Sequence, residues 1–481
     1  MKSWESVGIQ SPMRLRPTTH HFCQPSIAIM VKYVSSPTLN LYYLTFLVSI
    51  VPSMGVAFHI PSQFNFLSKR KRDDLFSVSD YNKTNTMNKT TSDSVGSSST
   101  LLTVDPSDSS TMSSSSSWSD QEIVEPHIGY KKVLVTGGAG FIGSHVSEFL
   151  LERGDDVVII DEMNDYYDVR IKENNLKLLV QNYGSDSVSI YRGDICDEGL
   201  LTRIFENDRP EWVCHMAARA GVRPSIQDPF VYIHSNIKGT TMLMEMCHRY
   251  GVKNFVFASS SSVYGGSTST FFSEDEPVDN PVSPYAATKK ACELLAYTYH
   301  HLYKINVTGL RFFTVYGPRG RPDMAPFKFI DRVSRGLQIQ QFGDGSSSRD
   351  YTYISDIVDG VVRAIDRPYP YQIFNLGKGA GTSLKEFIQL VEKYTHKKAI
   401  VQVVPDQPGD VPYTCADVSK AERLLGYSCK VSFEEGIKRT AKWYQQAYSE
   451  KQIDICPEIQ ANGLGRSPSF SFETPETSTA C

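Results

Sequence analysis

Charge of one sign is missing from this chain. Its 49 Lys and Arg against 53 Asp and Glu leave a formal charge of −4 over 481 residues. A nucleic-acid binder carries a basic face, so no nucleic-acid partner is expected. No C-x-x-C occurs. The nine cysteines, Cys23, Cys196, Cys214, Cys247, Cys292, Cys415, Cys429, Cys456 and Cys481, are odd in number and widely spaced. That pattern argues against a zinc site and against a dense disulfide framework; no metal is expected, and most of these thiols read as small buried hydrophobes. Internal repeats are absent. Acid is almost absent from residues 1–72, where Glu5 stands alone.

That acid-poor segment, 1–72, reads as a membrane anchor or targeting segment. Leu39–Phe58 is apolar, free of charge, and about long enough to span a bilayer. Lys32 precedes it and Lys69, Arg70, Lys71 and Arg72 follow, which by the positive-inside rule would leave the C-terminal side in the cytoplasm. The same stretch also fits a cleaved leader ending near Gly55-Val56-Ala57, including one of the plastid kind. Residues 73–125 are rich in Ser, Thr and Asn, the composition of a disordered stalk. Asn82-Lys83-Thr84 and Asn88-Lys89-Thr90 would be glycosylation acceptors in a lumenal stalk. The tail, 450–481, is polar and reads as disordered.

From Lys131 the pattern changes. Val133–Val135, Val157–Ile160, Val188–Tyr191, Trp212–Met216, Phe255–Ala258 and Val307–Phe312 are short apolar runs separated by helix-length segments. Strands alternating with helices predict an α/β protein with a doubly wound parallel sheet. Residues 131–316 form the expected NAD-binding Rossmann domain, and 317–449 mainly a smaller C-terminal substrate-binding lobe.

The first strand runs into Thr136-Gly137-Gly138-Ala139-Gly140-Phe141-Ile142-Gly143 and then a helix. Gly137 permits the tight turn, Gly140 lets the backbone approach a pyrophosphate, and Gly143 permits close packing of helix on strand. Helix N–H groups and the helix dipole favour the anion. Phe141 and Ile142 lie within the same turn. Asp161 ends the second strand 18 residues beyond Gly143, placed to bind ribose hydroxyls and to repel a 2′-phosphate, which selects NAD over NADP. Asp194 and Ile195 after the third strand fit an adenine pocket. Ala217 and Ala218 after the fourth are small enough to let the cofactor pass. Asn236, Tyr285 and Lys289 complete the expected cofactor contacts.

Tyr285-Ala286-Ala287-Thr288-Lys289 sets a phenol and an ammonium four apart, on one face of a helix. A cation beside a phenol favours the phenolate that a general base must be. The pair occurs often by chance. Here Ser260 precedes Tyr285 by 25 residues, at the end of the fifth strand, where a doubly wound sheet opens its crevice. A hydroxyl there can share the proton of the reacting group.

This arrangement resembles the extended short-chain dehydrogenase/reductase family, over about residues 131–449. Asp161–Asp168, Ala220-Gly221-Val222-Arg223, Arg311–Ala325 and Gly409-Asp410-Val411-Pro412 are similar to UDP-glucuronate 4-epimerases in particular. The resemblance implies catalysis by Ser260, Tyr285 and Lys289 on a UDP-sugar. It implies a sugar carboxylate held by Ser261, Ser262, Thr314 and Arg321, a uridine diphosphate met by Arg349 and Asp410, and a homodimer. In plants it also implies an anchor with the catalytic domain in the Golgi lumen, so membrane attachment in the secretory pathway is expected.

Arg319 stands where an aromatic is expected; it either meets a phosphate or carboxylate or faces solvent. Dehydratases and decarboxylases of the family carry an acid just before the Val-Tyr-Gly. Here Ser261 and Ser262 stand in that segment, so the 4-keto intermediate should persist and be reduced again. The alternatives are a UDP-glucose/galactose or UDP-GlcNAc 4-epimerase, and a non-catalytic NAD-binding protein.

Overall fold

The computed structural model describes residues 121–405 and 411–449. The expected anchor, most of the stalk, the C-terminal tail and Asp410 lie outside the described residues. No helix among the described residues is long and apolar enough to cross a membrane. Gln121–Glu125, assigned to the stalk by composition, run against the folded unit: the Val124 N–H donates to the Tyr369 hydroxyl at 3.1 Å and Arg423 Nη2 to the Gln121 carbonyl at 3.0 Å.

The chain begins β1 (Lys132–Thr136), α1 (Phe141–Arg153), β2 (Asp156–Asp161), α2 (Val169–Tyr183), β3 (Val188–Arg192), α3 (Glu198–Asn207) and β4 (Trp212–His215). Short helices α4 (Val222–Gln227) and α5 (Pro229–Tyr232) and a π-turn (Ile233–Lys238) lead into α6 (Gly239–Tyr250). Next come β5 (Asn254–Ser260), a 3-10 turn (Ser261–Tyr264), α7 (Pro284–Tyr303) and β6 (Val307–Phe312). The rest is β7 (Thr314–Tyr316), α8 (Ala325–Ser334), β8 (Gln338–Phe342), β9 (Ser348–Tyr353), α9 (Ile354–Asp366), β10 (Tyr371–Leu376), β11 (Gly381–Ser383), α10 (Leu384–Thr395), β12 (Ile400–Val404), α11 (Ser419–Leu425) and α12 (Phe433–Ser449).

Seven parallel strands form one sheet in the order β10-β6-β5-β4-β1-β2-β3. The central strands β1, β2 and β4 are buried on both faces because both are covered. In β1, Val133 and Val135 pack with α1, α2 and α9, while Leu134 between them packs with α3, α6 and α7. The two-residue period of the strand thus divides one run between two cores. Strand order reverses between β1 and β4, whose ends align Thr136 with His215. The crevice beyond that reversal is where doubly wound sheets bind ligands. After β7 the chain does not leave this sheet behind: α9 packs on α1 and β10 extends the β6 edge.

The remaining elements build a smaller lobe from a three-stranded β11-β9-β7 sheet, a β12-β8 pair and α8, α10, α11 and α12. Its centre is aromatic, with Phe329 stacked on Phe387 at 5.2 Å and Tyr351 on Phe433 at 4.8 Å.

Candidate active site

The glycine turn owes its shape to three close approaches. Gly137 has φ +66°, and a Cβ there would lie 2.8 Å from the Ala217 backbone. A Cβ on Gly143 would lie 2.2 Å from the Gly137 carbonyl oxygen, so the first turn of α1 packs on the glycine turn itself rather than on a strand. Gly138, not singled out by the motif, supplies the contact with the sheet: its Cβ would meet Ile159 Cγ2 at 2.7 Å. The resulting cradle of bare backbone ahead of Phe141 and Ile142 suits a pyrophosphate. Residues that fit NAD are therefore in place, with Asp161 and Ala217 against the turn.

Asp161 is buried at the end of β2. Its carboxylate accepts from the Ala139 N–H at 3.2 Å and the Met163 N–H at 2.9 Å, and pairs with the buried Lys172 at 3.4 Å. It ties β2 to the glycine turn. Asp194 pairs with His234 at 2.6 Å; burial opposes its charge, but His234 and the Cys196 N–H hold it below the usual carboxylate range. Ile195 is buried in the core under Gly239 and offers shape, not a polar contact.

Asn236 is buried, and its amide is taken up by protein. It accepts from the Arg219 N–H at 2.9 Å and donates to the Arg219 carbonyl at 3.1 Å and to Thr288 Oγ1 at 2.9 Å. It thereby fixes the loop after β4 to the helix of Tyr285. Another tie was not legible in the sequence. Thr136 Oγ1 accepts the Ala217 N–H at 3.1 Å and lies 2.6 Å from His215 Nδ1, and His215 Nε2 lies 2.9 Å from the Thr240 hydroxyl. Burial, then the charge of Lys289, lowers His215 to about 3, so the imidazole is neutral and one tautomer serves both bonds.

The three residues expected to carry catalysis come from adjacent elements, since α7 packs on β5 and on the 3-10 turn. Ser283 caps α7 through the Ala286 N–H at 3.1 Å, with Pro284 in the first turn. Ser225 Oγ accepts the Tyr285 N–H at 3.1 Å. Lys289 is buried, and its ammonium donates to the Ala258 carbonyl at 2.7 Å. Ser260 Oγ accepts from the Ser262 N–H at 3.2 Å and the Ser262 hydroxyl at 2.8 Å.

Beneath this turn lies a buried polar network. Glu293, one helical turn past Lys289, accepts from the Ser259 hydroxyl at 2.7 Å and from Arg311 Nε and Nη2, both at 2.9 Å. Arg311 Nη1 donates to the Tyr264 hydroxyl at 3.0 Å, and that hydroxyl donates to Asn375 at 2.7 Å. Burial raises the Glu293 carboxyl, but the bonds and charge of Arg311 outweigh it and hold the group ionised.

On the substrate side, three stretches far apart in the chain meet at Tyr166. Its hydroxyl donates to the Ala220 carbonyl at 2.8 Å, and its ring lies under the Arg321 guanidinium at 5.2 Å. A Cβ on Gly221 would lie 2.9 Å from the Tyr166 hydroxyl. Arg321 also forks onto Asp323, at 3.0 and 2.6 Å. Arg319 neither meets this cluster nor faces solvent; it crosses to α1, where it pairs with Glu148. Thr314 begins β7, aligned with Tyr351, and Arg349 lies on β9 of the same small sheet. The neighbouring Asp350 is a structural knot: its carboxylate accepts the N–H groups of Lys378 at 2.7 Å, Gly379 at 2.9 Å and Ala416 at 3.1 Å.

A parallel doubly wound sheet with a glycine turn, a terminal acid on β2 and the Ser260, Tyr285 and Lys289 set defines an extended short-chain dehydrogenase/reductase. The chain belongs to the family described as GDP-mannose 4,6 dehydratase, whose model matches residues 134–440. It is 46% identical over 328 residues to a UDP-glucuronate 4-epimerase of Thermodesulfobacterium geofontis, covering 68% of this chain and 98% of that protein. It is 42% identical over 335 residues to UDP-glucuronate 4-epimerase 4 of Arabidopsis thaliana, covering 66% and 76%. Among solved structures it resembles the UDP-glucuronic acid 4-epimerase from Bacillus cereus in complex with UDP-glucuronic acid and NAD, with a TM-score of 0.62, 36% identity, and coverage of 66% of this chain and 100% of that one.

Proposed function

We propose that the chain interconverts UDP-glucuronate and UDP-galacturonate by NAD-dependent epimerisation at C4. The observation that carries this reading is the convergence at Tyr166 of Ala220, Gly221 and Arg321, which joins three of the four stretches similar to these epimerases. In this reading the Arg321 guanidinium gives a sugar carboxylate charge-assisted hydrogen bonds. Ser261, Ser262 and Thr314 add hydroxyls, and Arg349 with Asp410 meets the diphosphate.

NAD, when bound, supplies the acceptor and then the donor of a hydride at C4. Tyr285 takes the proton of the C4 hydroxyl and later returns one, while Ser260 shares that proton and orients the oxygen. Lys289, fixed by the Ala258 carbonyl, keeps a positive charge one helical turn from Tyr285. The family's description names a dehydratase, but elimination of water needs an acid beside the sugar. The Ser260–Val263 segment has none, so the 4-keto sugar is left to turn over and be reduced from its other face. Incubating the protein with UDP-glucuronate and with UDP-glucose, and resolving products by NMR, tests this. Conversion of UDP-glucose alone would establish the rival UDP-glucose 4-epimerase reading.

Two further readings belong to the same proposal. Leu294 and Tyr297, three residues apart on one face of α7, are exposed, an apolar patch suited to a second copy of the chain. Leu294→Glu should turn a dimer into a monomer in size exclusion with light scattering. Leu39–Phe58 is assigned as a membrane anchor in the secretory pathway, with a cleaved plastid leader as the alternative. Carbonate extraction and protease protection of C-terminally tagged protein distinguish them, since a soluble product starting beyond Ala57 would remove the anchor.

A further inference from the structure

We propose that Arg319 is a positioning residue that clamps the substrate-side turn to the cofactor helix α1, so that nucleotide-sugar binding and NAD retention strengthen each other. This rests on the epimerase reading above. Arg319 has φ +59° in a turn that cannot relax easily. A Cβ on Gly317 would lie 2.4 Å from Ile354 Cγ2, and the Gly320 N–H returns to the Gly317 carbonyl at 3.2 Å. From this turn the side chain, only 10% exposed, reaches Glu148 on α1. Its Nε donates to His145 Nε2 at 3.3 Å.

His145 is prepared for that contact. Its Nδ1 lies 3.0 Å from the Phe141 carbonyl, which can only accept, so Nδ1 carries the proton and Nε2 presents a lone pair to Arg319. Burial, then the nearby Arg319, lowers the imidazole to about 3, so it is a neutral acceptor near pH 7. Phe141 is the first residue of α1, and the amide end of that helix forms the pyrophosphate cradle. On the other side, Arg321 follows Arg319 by two residues and carries the sugar carboxylate. The turn and α1 also share a backing, because Gly317 packs on the first residue of α9 and α9 packs on α1. The epimerase must hold its nicotinamide still while a 4-keto sugar turns over beside it. A two-point clamp between the two binding elements meets that need, and affinity coupled in this way is reciprocal.

The test uses the full chain and its Arg319→Ala, Glu148→Ala and double variants. The Kd of NAD is measured by calorimetry with and without saturating UDP-glucuronate, whose carboxylate the Arg321 turn would hold, followed by KM and kcat for UDP-glucuronate. In the wild type, UDP-glucuronate should tighten NAD roughly 5-fold or more. Each single variant should lose most of that factor and raise KM, with kcat changed by less than about twofold, and the double variant should be no worse than either single. Arg319→Lys, which keeps the charge but not the Nε contact, should be intermediate; it serves as the readout should Arg319→Ala fail to fold. Absence of coupling in the wild type, undiminished coupling in Arg319→Ala, or loss in Arg319→Ala with wild-type coupling in Glu148→Ala would each overturn the clamp. The NAD titrations read binding and not turnover, so a wild type that couples NAD to UDP-glucuronate yet leaves UDP-glucuronate unconverted would sink the epimerase reading alone.

Discussion

Arg311, at the end of β6, and Arg321, in the turn after β7, each fork onto a carboxylate, in very different surroundings. The Arg311 and Glu293 side chains are 3% and 2% exposed, whereas Arg321 and Asp323 are 19% and 38% exposed. Every nitrogen of the Arg311 fork is used, with Tyr264 taking the third. Breaking such a pair strands a buried charge. The Arg321–Asp323 pair is partly open to water, which screens it more than the buried Arg311–Glu293 pair, so a ligand carboxylate can compete for its fork at lower cost. The arginine suited to substrate is thus the more weakly held one, and the tightly held one keeps the catalytic turn in place.

The widest gap between chemistry and stability should appear at Tyr285. Tyr285→Phe removes an ionisable hydroxyl but keeps the ring, and should slow turnover by about 10²–10⁴ with the melting temperature unmoved. Near-wild-type kcat would end its assignment as base. Glu293→Ala should do the reverse, costing about 3–5 kcal/mol in urea unfolding because Arg311 is left buried and unpaired. Since the folded protein holds the Glu293 carboxyl below its ordinary value, its contribution is present above the unfolded-state pKa and fades as pH falls through the folded one. The gap between wild type and variant should therefore narrow in acid. A loss of less than about 1 kcal/mol would place the pair among ordinary surface bridges.

Arg321→Ala should cut kcat/KM for UDP-glucuronate by about 1.5–3 kcal/mol and leave any action on UDP-glucose and the unfolding midpoint nearly unchanged. Equal losses on both sugars would erase the contrast with Arg311. The smallest effect concerns Glu274, which accepts the Asn375 N–H at 2.6 Å behind the same network. Burial, only partly offset by that bond and by Lys420, raises its carboxyl from 4.5 to about 7. A raised carboxyl makes the folded state bind more protons than the unfolded one between those values, so stability should fall as pH rises from about 4.5 to about 7. Glu274→Gln should flatten that slope, which is at most about 1.4 kcal/mol per pH unit. An unaltered pH profile of the urea midpoint would show that Glu274 does not titrate in this range.

The glycine turn, Asp161 and the Tyr285–Lys289 pair were legible because each depends on residues close together in sequence. A turn needs its glycines, and a helix puts positions four apart on one face. Arg319 was not legible: its two expected fates were a ligand contact or solvent, and it has neither. Its partners, His145 and Glu148, lie more than 170 residues earlier. Asn236, read as a cofactor contact, also ties Arg219 to Thr288, which its neighbours in sequence do not reveal. Asp350, adjacent to the expected Arg349, gave no local sign that it would gather three backbone amides.

By itself the sequence determined the alternation of strands and helices, the glycine turn after β1 and the shared helix face of Tyr285 and Lys289, since period and spacing act through neighbouring backbone. Only the tertiary structure decided which charges are locked and which remain exchangeable. That choice depends on burial and on partners brought together from distant segments, and a carboxylate two residues away, such as Asp323, binds its arginine far less firmly than Glu293, which the fold buries against Arg311.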